Sequence, residues 1–230
     1  MRVLAVDAAT EACSVALLSG DELIGRFAQG GLSHAQQILG MVDAVLAEAQ
    51  VSLSMLDGIA ASIGPGAFTG VRISVAVAQG LAFGAGLRVA AVTTLEALAG
   101  QVLHSGPVMA CLDARMGEVY WGCFTGDPRL GVLAGSTAAV GPPESVVLPV
   151  PGIYRGIGRG FAAYPVLAAL PGLSLSLTDS QALPNAREFA RLGALRLKAG
   201  EGLDPADLTP LYLRDKVALT EAERRRRPAP

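Results

Sequence analysis

The stretch Val3-Leu4-Ala5-Val6-Asp7-Ala8-Ala9-Thr10-Glu11-Ala12-Cys13-Ser14-Val15-Ala16-Leu17 decides the fold. An apolar run of strand length ends at an acid, Ala8 to Ala12 turn, and Cys13 to Leu18 run back as a second strand. Ser19-Gly20-Asp21 then turns into a third, Glu22 to Phe27. The same opening returns at Val108-Met109-Ala110-Cys111-Leu112, followed by Asp113-Ala114, a turn at Met116-Gly117 and a return strand Val119 to Phe124. Strand, Asp-Ala, turn, strand, used twice, predicts two lobes of related topology. A chain of 230 residues accommodates two such lobes of about 100 residues each. The division falls at residues 1–104 and 105–230, with the C-terminal segment returning to the first lobe.

Working outward, Gly64-Pro65-Gly66-Ala67-Phe68-Thr69-Gly70-Val71-Arg72 lies between an apolar strand, Gly58 to Ile63, and a long uncharged helical run, Ile73 to Ala85. Strand, glycine-rich turn and helix start could cradle a phosphate, because exposed backbone N–H groups and the helix dipole both favour anions. Two patterns do not fit. A P-loop ends in Lys-Ser or Lys-Thr, and this loop ends Gly70-Val71-Arg72. The dinucleotide fingerprint needs its last glycines three apart, whereas Gly66 and Gly70 are four apart. The alternative is a structural loop in which Gly64, Gly66, Gly70 and Arg72 serve backbone shape, with Gly66 or Gly70 at positive φ.

The remaining elements follow from periodicity. Ile38, Met41, Val42, Val45 and Ala49 recur at helical steps, predicting a helix from His34 to Gln50 with Ser33 as N-cap. Leu87 to Val92 reads as a strand, and Thr93 and Thr94 cap a helix through Leu103. Asn185 to Ala199 is amphipathic. Residues 126–180 are rich in Pro and Gly and weakly patterned. The tail Glu221 to Pro230 holds four arginines among acids and prolines and reads as a solvated end or an RNA-binding arm.

Composition narrows the function. Charged residues are 17% of the chain and the net charge is −2, so an extended phosphate-tracking surface is not expected and any nucleic acid is reached through a partner. Low charge with positive mean hydropathy points to apolar surface covered by another subunit. Asp7 and Glu11 interrupt the first apolar run, which does not read as a signal peptide. Ile73 to Leu87 is too short for a membrane span. Three cysteines, Cys13, Cys111 and Cys123, without paired spacing read as reduced strand residues of a cytoplasmic protein.

Little of this composes a catalytic set. The two histidines are His34 and His104. A second imidazole on the face of His34 would stand at Gln37 or Ile38, so no helical metal pair forms. Gly-x-Ser-x-Gly is absent. Asp113-Ala114-Arg115-Met116-Gly117-Glu118-Val119-Tyr120 is dense in polar groups and reads as a tight turn or a ligand contact. The helix from Ile73 is apolar or small on every face, and Ala76, Gly80 and Gly84 recur every four residues. Such a helix is buried all round, by its own lobe or by another protein.

Asp7 with Thr10 resembles the start of the actin, sugar-kinase and Hsp70 superfamily, in which that acid serves the metal–phosphate end of a nucleotide. Here a methyl group at Ala9 replaces the glycine that admits phosphate. Asp7 and Thr10 are therefore weak nucleotide-edge candidates, and the other reading is an acid bonded to its own turn.

Taken together, Leu4 to Leu17, His34 with Gln37-Ile38-Leu39, the 64–72 loop with Ala78-Gln79-Gly80-Leu81-Ala82, Asp113 to Tyr120, and Pro210-Leu211-Tyr212-Leu213-Arg214 resemble the TsaB family, also called YeaZ, which serves tRNA threonylcarbamoyladenosine biosynthesis. The resemblance implies an α/β, actin-like (ASKHA) fold of two related lobes with mixed sheets flanked by helices. It also implies a non-catalytic paralogue of TsaD, the partner that carries the metal-binding histidine pair; Ile38 stands where the second histidine would be. Its first two helices pack against a partner, which marks His34, Ile38, Met41, Val42, Val45, Ile73, Val77, Gly80 and Leu81 as partner-binding. The partners implied are TsaD in a heterodimer, a second copy in a homodimer, and the ATPase TsaE, with tRNA met only through the complex and no membrane involved. The chain alone holds no cofactor; ATP or ADP belongs to a shared interface. Ala67 stands where the family often has serine and Gly40 where proline is common. The rival readings are a glycoprotease-like metallopeptidase and a small-molecule kinase of the same fold.

Overall fold

The computed structural model describes residues 1–30, 33–134, 136–149 and 152–214. The arginine-rich tail lies outside the described residues. The first sheet has five strands: β1 (Arg2–Asp7), β2 (Ala12–Ser19), β3 (Glu22–Gln29), β4 (Gly58–Ser62) and β5 (Val89–Val92), in the order β3-β2-β1-β4-β5. The second is built from β6 (Val108–Arg115), β7 (Glu118–Asp127), β8 (Gly131–Ala134), β9 (Ala139–Gly141), β10 (Tyr154–Ile157) and β11 (Leu173–Ser174). Its main path runs β8-β7-β6-β10-β11, with β9 paired to β7. The two paths match strand for strand. β1 pairs antiparallel with β2 and parallel with β4, as β6 does with β7 and β10. The duplication legible in the two Asp-Ala hairpins therefore extends through both sheets.

Helices α1 (His34–Glu48), α2 (Phe68–Ala85), α3 (Thr94–Gly100), α4 (Gly160–Ala163), α5 (Leu177–Ser180) and α6 (Ala186–Lys198) complete the layers. Alternation along β1 shows why the first sheet is covered on both faces. Leu4 and Val6 join Ile38, Val42, Val45, Val75, Ala78 and Ala82 beneath α1 and α2. Val3 and Ala5 face the opposite side, with Leu95 and Leu98 of α3, Phe189 and Leu192 of α6, and Val108 and Ala110 of the second sheet. Helices α3 and α6 thus lie between the two sheets. Small residues allow α6 to lie close there: a β-carbon at Gly193 would stand 2.4 Å from that of Ala60.

Helix ends follow the capping residues. Ser33 and Gln36 form a capping box at α1, Thr93 and Glu96 another at α3, and Asn185 accepts from the Arg187 N–H at α6. Glu96 is also paired with Arg196 of α6, both side chains 14% exposed. The expected helix through Leu103 ends at Gly100 and continues as a short 3-10 turn at Leu103–Ser105.

One boundary differs with consequences. Helix α2 begins at Phe68, five residues before the expected Ile73. Ala67, in extended conformation, is its N-cap, so Gly70 and Arg72 belong to its first turns. Glycines and a β-branched residue near the start disguised a helix whose packing outweighs their propensities. At 18 residues α2 is long and apolar enough to cross a membrane, which the shorter reading had excluded. Its Val71, Ser74, Val75, Ala78 and Ala82 are instead buried, the last three against the first sheet.

The three cysteines are free and buried. Burial raises the Cys13 and Cys123 thiols to about 11, so they are protonated at neutral pH.

Candidate functional site

The loop before α2 grips the turn after β1. The Ala67 N–H donates to the Ala9 carbonyl at 2.7 Å, and the Ala8 N–H donates to Ser74 Oγ at 2.7 Å. The His34 ring contacts the Ala8 carbonyl through Nδ1 at 3.2 Å, and the Ala9 N–H donates to Asp7 Oδ1 at 3.1 Å. Backbone groups that could have met a phosphate are thus engaged within the chain. Gly66 and Gly70 are the pivots of this contact. A β-carbon at Gly66 would lie 2.1 Å from the Ala9 oxygen, and one at Gly70 2.0 Å from the Ala8 oxygen. Neither has positive φ, contrary to expectation; the left-handed residue is Gly64, at φ +96°. The glycines at 66 and 70 serve close backbone approach instead.

Asp7 is fully buried and bonded to its own turn. Burial raises its pKa to about 6, against the lowering effects of the Ala9 N–H, Ser62 and His34. Its Oδ2 has no hydrogen-bond partner among the described residues. A neutral carboxyl suits this position better than an ion, because an uncompensated buried charge is costly. Thr10, 8% exposed, accepts the Ala12 N–H at its hydroxyl.

Of the partner-binding residues implied by the resemblance, Ile38, Val42 and Val45 are at most 2% exposed. They fill the core between α1 and the first sheet. Periodicity selects the most apolar face of a helix, and that face belongs to the helix's own lobe. Met41, Ile73, Val77 and Leu81 are half-buried at its margin, and His34 is half-buried against Ala8. Gly80 is exposed. Nor is α2 buried all round. Ala76, Gly80, Phe83 and Gly84 form an outward stripe, and Leu39 and Gly40 of α1 are exposed as well. Phe83 is 82% exposed and Leu39 52%, and β-carbons at Gly40, Gly80 and Gly84 would meet open space. Small residues at four-residue steps leave a groove into which another helix can fit closely.

Arg72 leaves the loop's interior altogether. Its guanidinium lies 3.5 Å over the Phe68 ring and its Nε donates to the Tyr212 hydroxyl at 2.9 Å, while Phe68 and Tyr212 stack with centroids 5.7 Å apart. These aromatics stand at the rim of a cleft of about 810 Å³ between the sheets, which Thr10, Gly66, Asp113 and Arg159 also line. In the hairpin at Asp113, the acid accepts the Arg115 N–H at 2.8 Å and pairs with its guanidinium at 2.9 Å, a turn-building role. No group of three His, Cys, Asp or Glu placed to hold a metal occurs among the described residues. Sequence reasoning missed Phe68 and gave Tyr212 no role, although Tyr212 lies in the quoted Pro210 to Arg214 motif.

Two duplicated mixed sheets around a central helical layer, with a cleft between the matching strand ends, define an α/β protein of the actin-like (ASKHA) class. Comparison with known proteins refines this. The family model for TsaD, tRNA N6-adenosine threonylcarbamoyltransferase, matches residues 29–135. The tRNA threonylcarbamoyladenosine biosynthesis protein TsaB of Escherichia coli is 39% identical, over 95% of this chain and 96% of that protein. Its counterpart in Haemophilus influenzae is 35% identical, over 94% and 95%. The solved structure of YeaZ from Pseudomonas aeruginosa superposes with a TM-score of 0.84 at 38% identity, covering 92% of this chain and 99% of that one. Another solved structure, described as similar to the peptidase YeaZ of that organism, gives 0.85 at 38% identity, covering 93% and 99%. The chain belongs to the TsaB (YeaZ) family.

Proposed function

We propose that this chain serves tRNA threonylcarbamoyladenosine biosynthesis as a non-catalytic subunit that activates TsaD by pairing with it. The observation that carries this reading is the outward stripe Ala76, Gly80, Phe83 and Gly84 with Leu39 and Gly40. An exposed phenylalanine flanked by glycines is an anchor with a groove beside it, the arrangement of a helix-packing interface. A second copy would meet the same stripe by two-fold symmetry, so homodimer and heterodimer compete for one face.

In this reading TsaE joins the complex, tRNA is met through the partners, and ATP or ADP is held at a shared interface. The grip of the 64–72 loop on Ala8 and Ala9 favours this over a kinase, since it spends the backbone donors a phosphate would need. A metallopeptidase would need ligands beyond those His34 finds on its own helix.

The test is reconstitution of threonylcarbamoyl transfer to tRNA from purified TsaD and TsaE, with and without this chain. Transfer should require it, and the chain alone should turn over neither ATP nor peptide. Full transfer in its absence, or peptide hydrolysis by the chain alone, would overturn the reading.

A further inference from the structure

The segment leading to Arg214 is fastened to the first half of the molecule. Gln79 of α2 donates to the Pro205 and Leu208 carbonyls at 2.9 and 3.1 Å. Leu208 is 1% exposed in the core beneath α2, and the Leu211 N–H donates to the Ile63 carbonyl at 2.8 Å. Tyr212 is held by Phe68 and Arg72. Two residues later the chain changes sides. Arg214 Nη2 donates to the Ala114 carbonyl at 3.2 Å and to the Glu118 carboxylate, and Nη1 lies 3.7 Å from Met116 Sδ. Every one of these partners belongs to the β6–β7 hairpin of the second sheet, and the Arg214 side chain is only 18% exposed.

That turn needs a restraint. Arg115 and Met116 stand at φ +60° and +59°, a left-handed conformation that non-glycine residues hold only where the surroundings enforce it. Asp113 holds the turn from within, accepting the Arg115 N–H, and a guanidinium on the Ala114 carbonyl and the Glu118 carboxylate adds a restraint from outside the hairpin. On the other side of the cleft, Arg159 Nη1 donates to Glu11 Oε1 at 2.7 Å, again joining second half to first. The Arg159–Glu11 pair is more exposed, at 30% and 40%, and Arg159 also donates to the Gln29 side-chain oxygen of β3.

We propose that residues 211–214 are a latch across the interlobe cleft, in which Arg214 bolts the β6–β7 turn to the first lobe and fixes the cleft's width. The central layer of α3 and α6 is the pivot, and Arg214 and Arg159 are ties at opposite sides of the rim. Release of Arg214 relaxes the left-handed turn and widens the cleft together. The latch stands independently of whether the chain pairs with TsaD.

The experiment measures one distance across the cleft and the exchange of two sets of amides. All three native cysteines are buried, so spin labels can be directed to the exposed positions Thr69→Cys and Ala163→Cys. In the otherwise unaltered chain the label distance should be single and narrow. Arg214→Ala should lengthen and broaden it, and should speed amide exchange in residues 116–120 about ten-fold, the effect of losing one charge-assisted restraint. The Leu211 amide should stay protected. Glu118→Gln, which keeps the strap's anchors, should move both readouts the same way by less. An unchanged distance in both variants would overturn the latch. So would loss of Leu211 protection in step with the hairpin, which would make the strap ordinary core.

Discussion

The Ala67 N–H reaches the Ala9 carbonyl at 2.7 Å, and this bond is short enough to form only because residue 66 lacks a side chain. Gly66 and Gly70 bring the start of α2 against the β1–β2 turn, with β-carbon positions 2.1 and 2.0 Å from backbone oxygens. Real β-carbons do not come so near, so the helix or the turn would have to move. Gly66→Ala and Gly70→Ala should each cost about 2–3 kcal/mol, read as lowered thermal midpoints. Gly84→Ala, where a β-carbon meets nothing within 4 Å, should be neutral or slightly stabilising. Equal midpoints for all three would show that the close approach is not what these glycines provide.

Asp7 gives the molecule a pH dependence of definite sign. Its folded pKa is raised from 3.8 to about 6, so between those values the folded chain holds a proton that the unfolded chain has lost. Its contribution to stability is fully present below about pH 4 and is lost as pH rises through about 6. Asp7→Asn keeps an oxygen to accept the Ala9 N–H and carries no charge. The variant should match the parent near pH 4 and exceed its stability by about 1–3 kcal/mol near pH 8. Denaturant titrations at the two pH values decide it; a difference that does not change with pH would remove Asp7 as the cause.

What could be read from residues alone was the part of the fold written in local order. The Asp7 and Asp113 hairpins announced a duplication because each is short, apolar and followed by its own return strand. Helix α1 was legible for the same reason, since Ile38, Val42 and Val45 repeat at its period. That same signal finds the face a lobe buries for itself, which is where Ile38, Val42 and Val45 lie, whereas the outward face of α2 is marked by small residues that carry no hydrophobic period. Contacts between distant segments were illegible altogether. Nothing near Arg72 announces Tyr212, and nothing near Glu118 announces Arg214, because side chains of mixed character at a rim follow no spacing.

The pair Glu96–Arg196 joins α3 to α6 inside the layer between the sheets, with each side chain 14% exposed. Glu96 also accepts the Thr93 N–H at 2.8 Å, and Arg196 donates to the Ala91 carbonyl. Arg196→Met would leave a largely buried carboxylate without its counter-charge, at a cost of about 3 kcal/mol. The double variant Arg196→Met with Glu96→Gln keeps the cap and removes both charges, and should recover a substantial part of that loss. A thermodynamic cycle showing additive effects would mean that the two side chains do not act as a pair.

The last prediction separates the two faces of the helical layer. Val42 is 2% exposed and Gly80 is exposed with open space above its α-carbon. Val42→Glu places a charge in the core shared with the first sheet and should unfold the lobe, so its loss of association would say nothing about an interface. Gly80→Glu enters solvent in the isolated chain and replaces a poor helix former, so the monomer should be unchanged or stabilised by about 0.5–1 kcal/mol. In a complex it would set a charged side chain into the groove beside Phe83, where a desolvated carboxylate without a partner costs several kcal/mol. Phe83→Ser removes the anchor itself and should weaken pairing by about 2 kcal/mol or more. The measurements are circular dichroism, mass in solution with and without TsaD, and threonylcarbamoyl transfer to tRNA. A folded Gly80→Glu chain that neither self-associates nor supports transfer would place both partners on this stripe. A folded variant with undiminished pairing and transfer would move the interface elsewhere on the molecule.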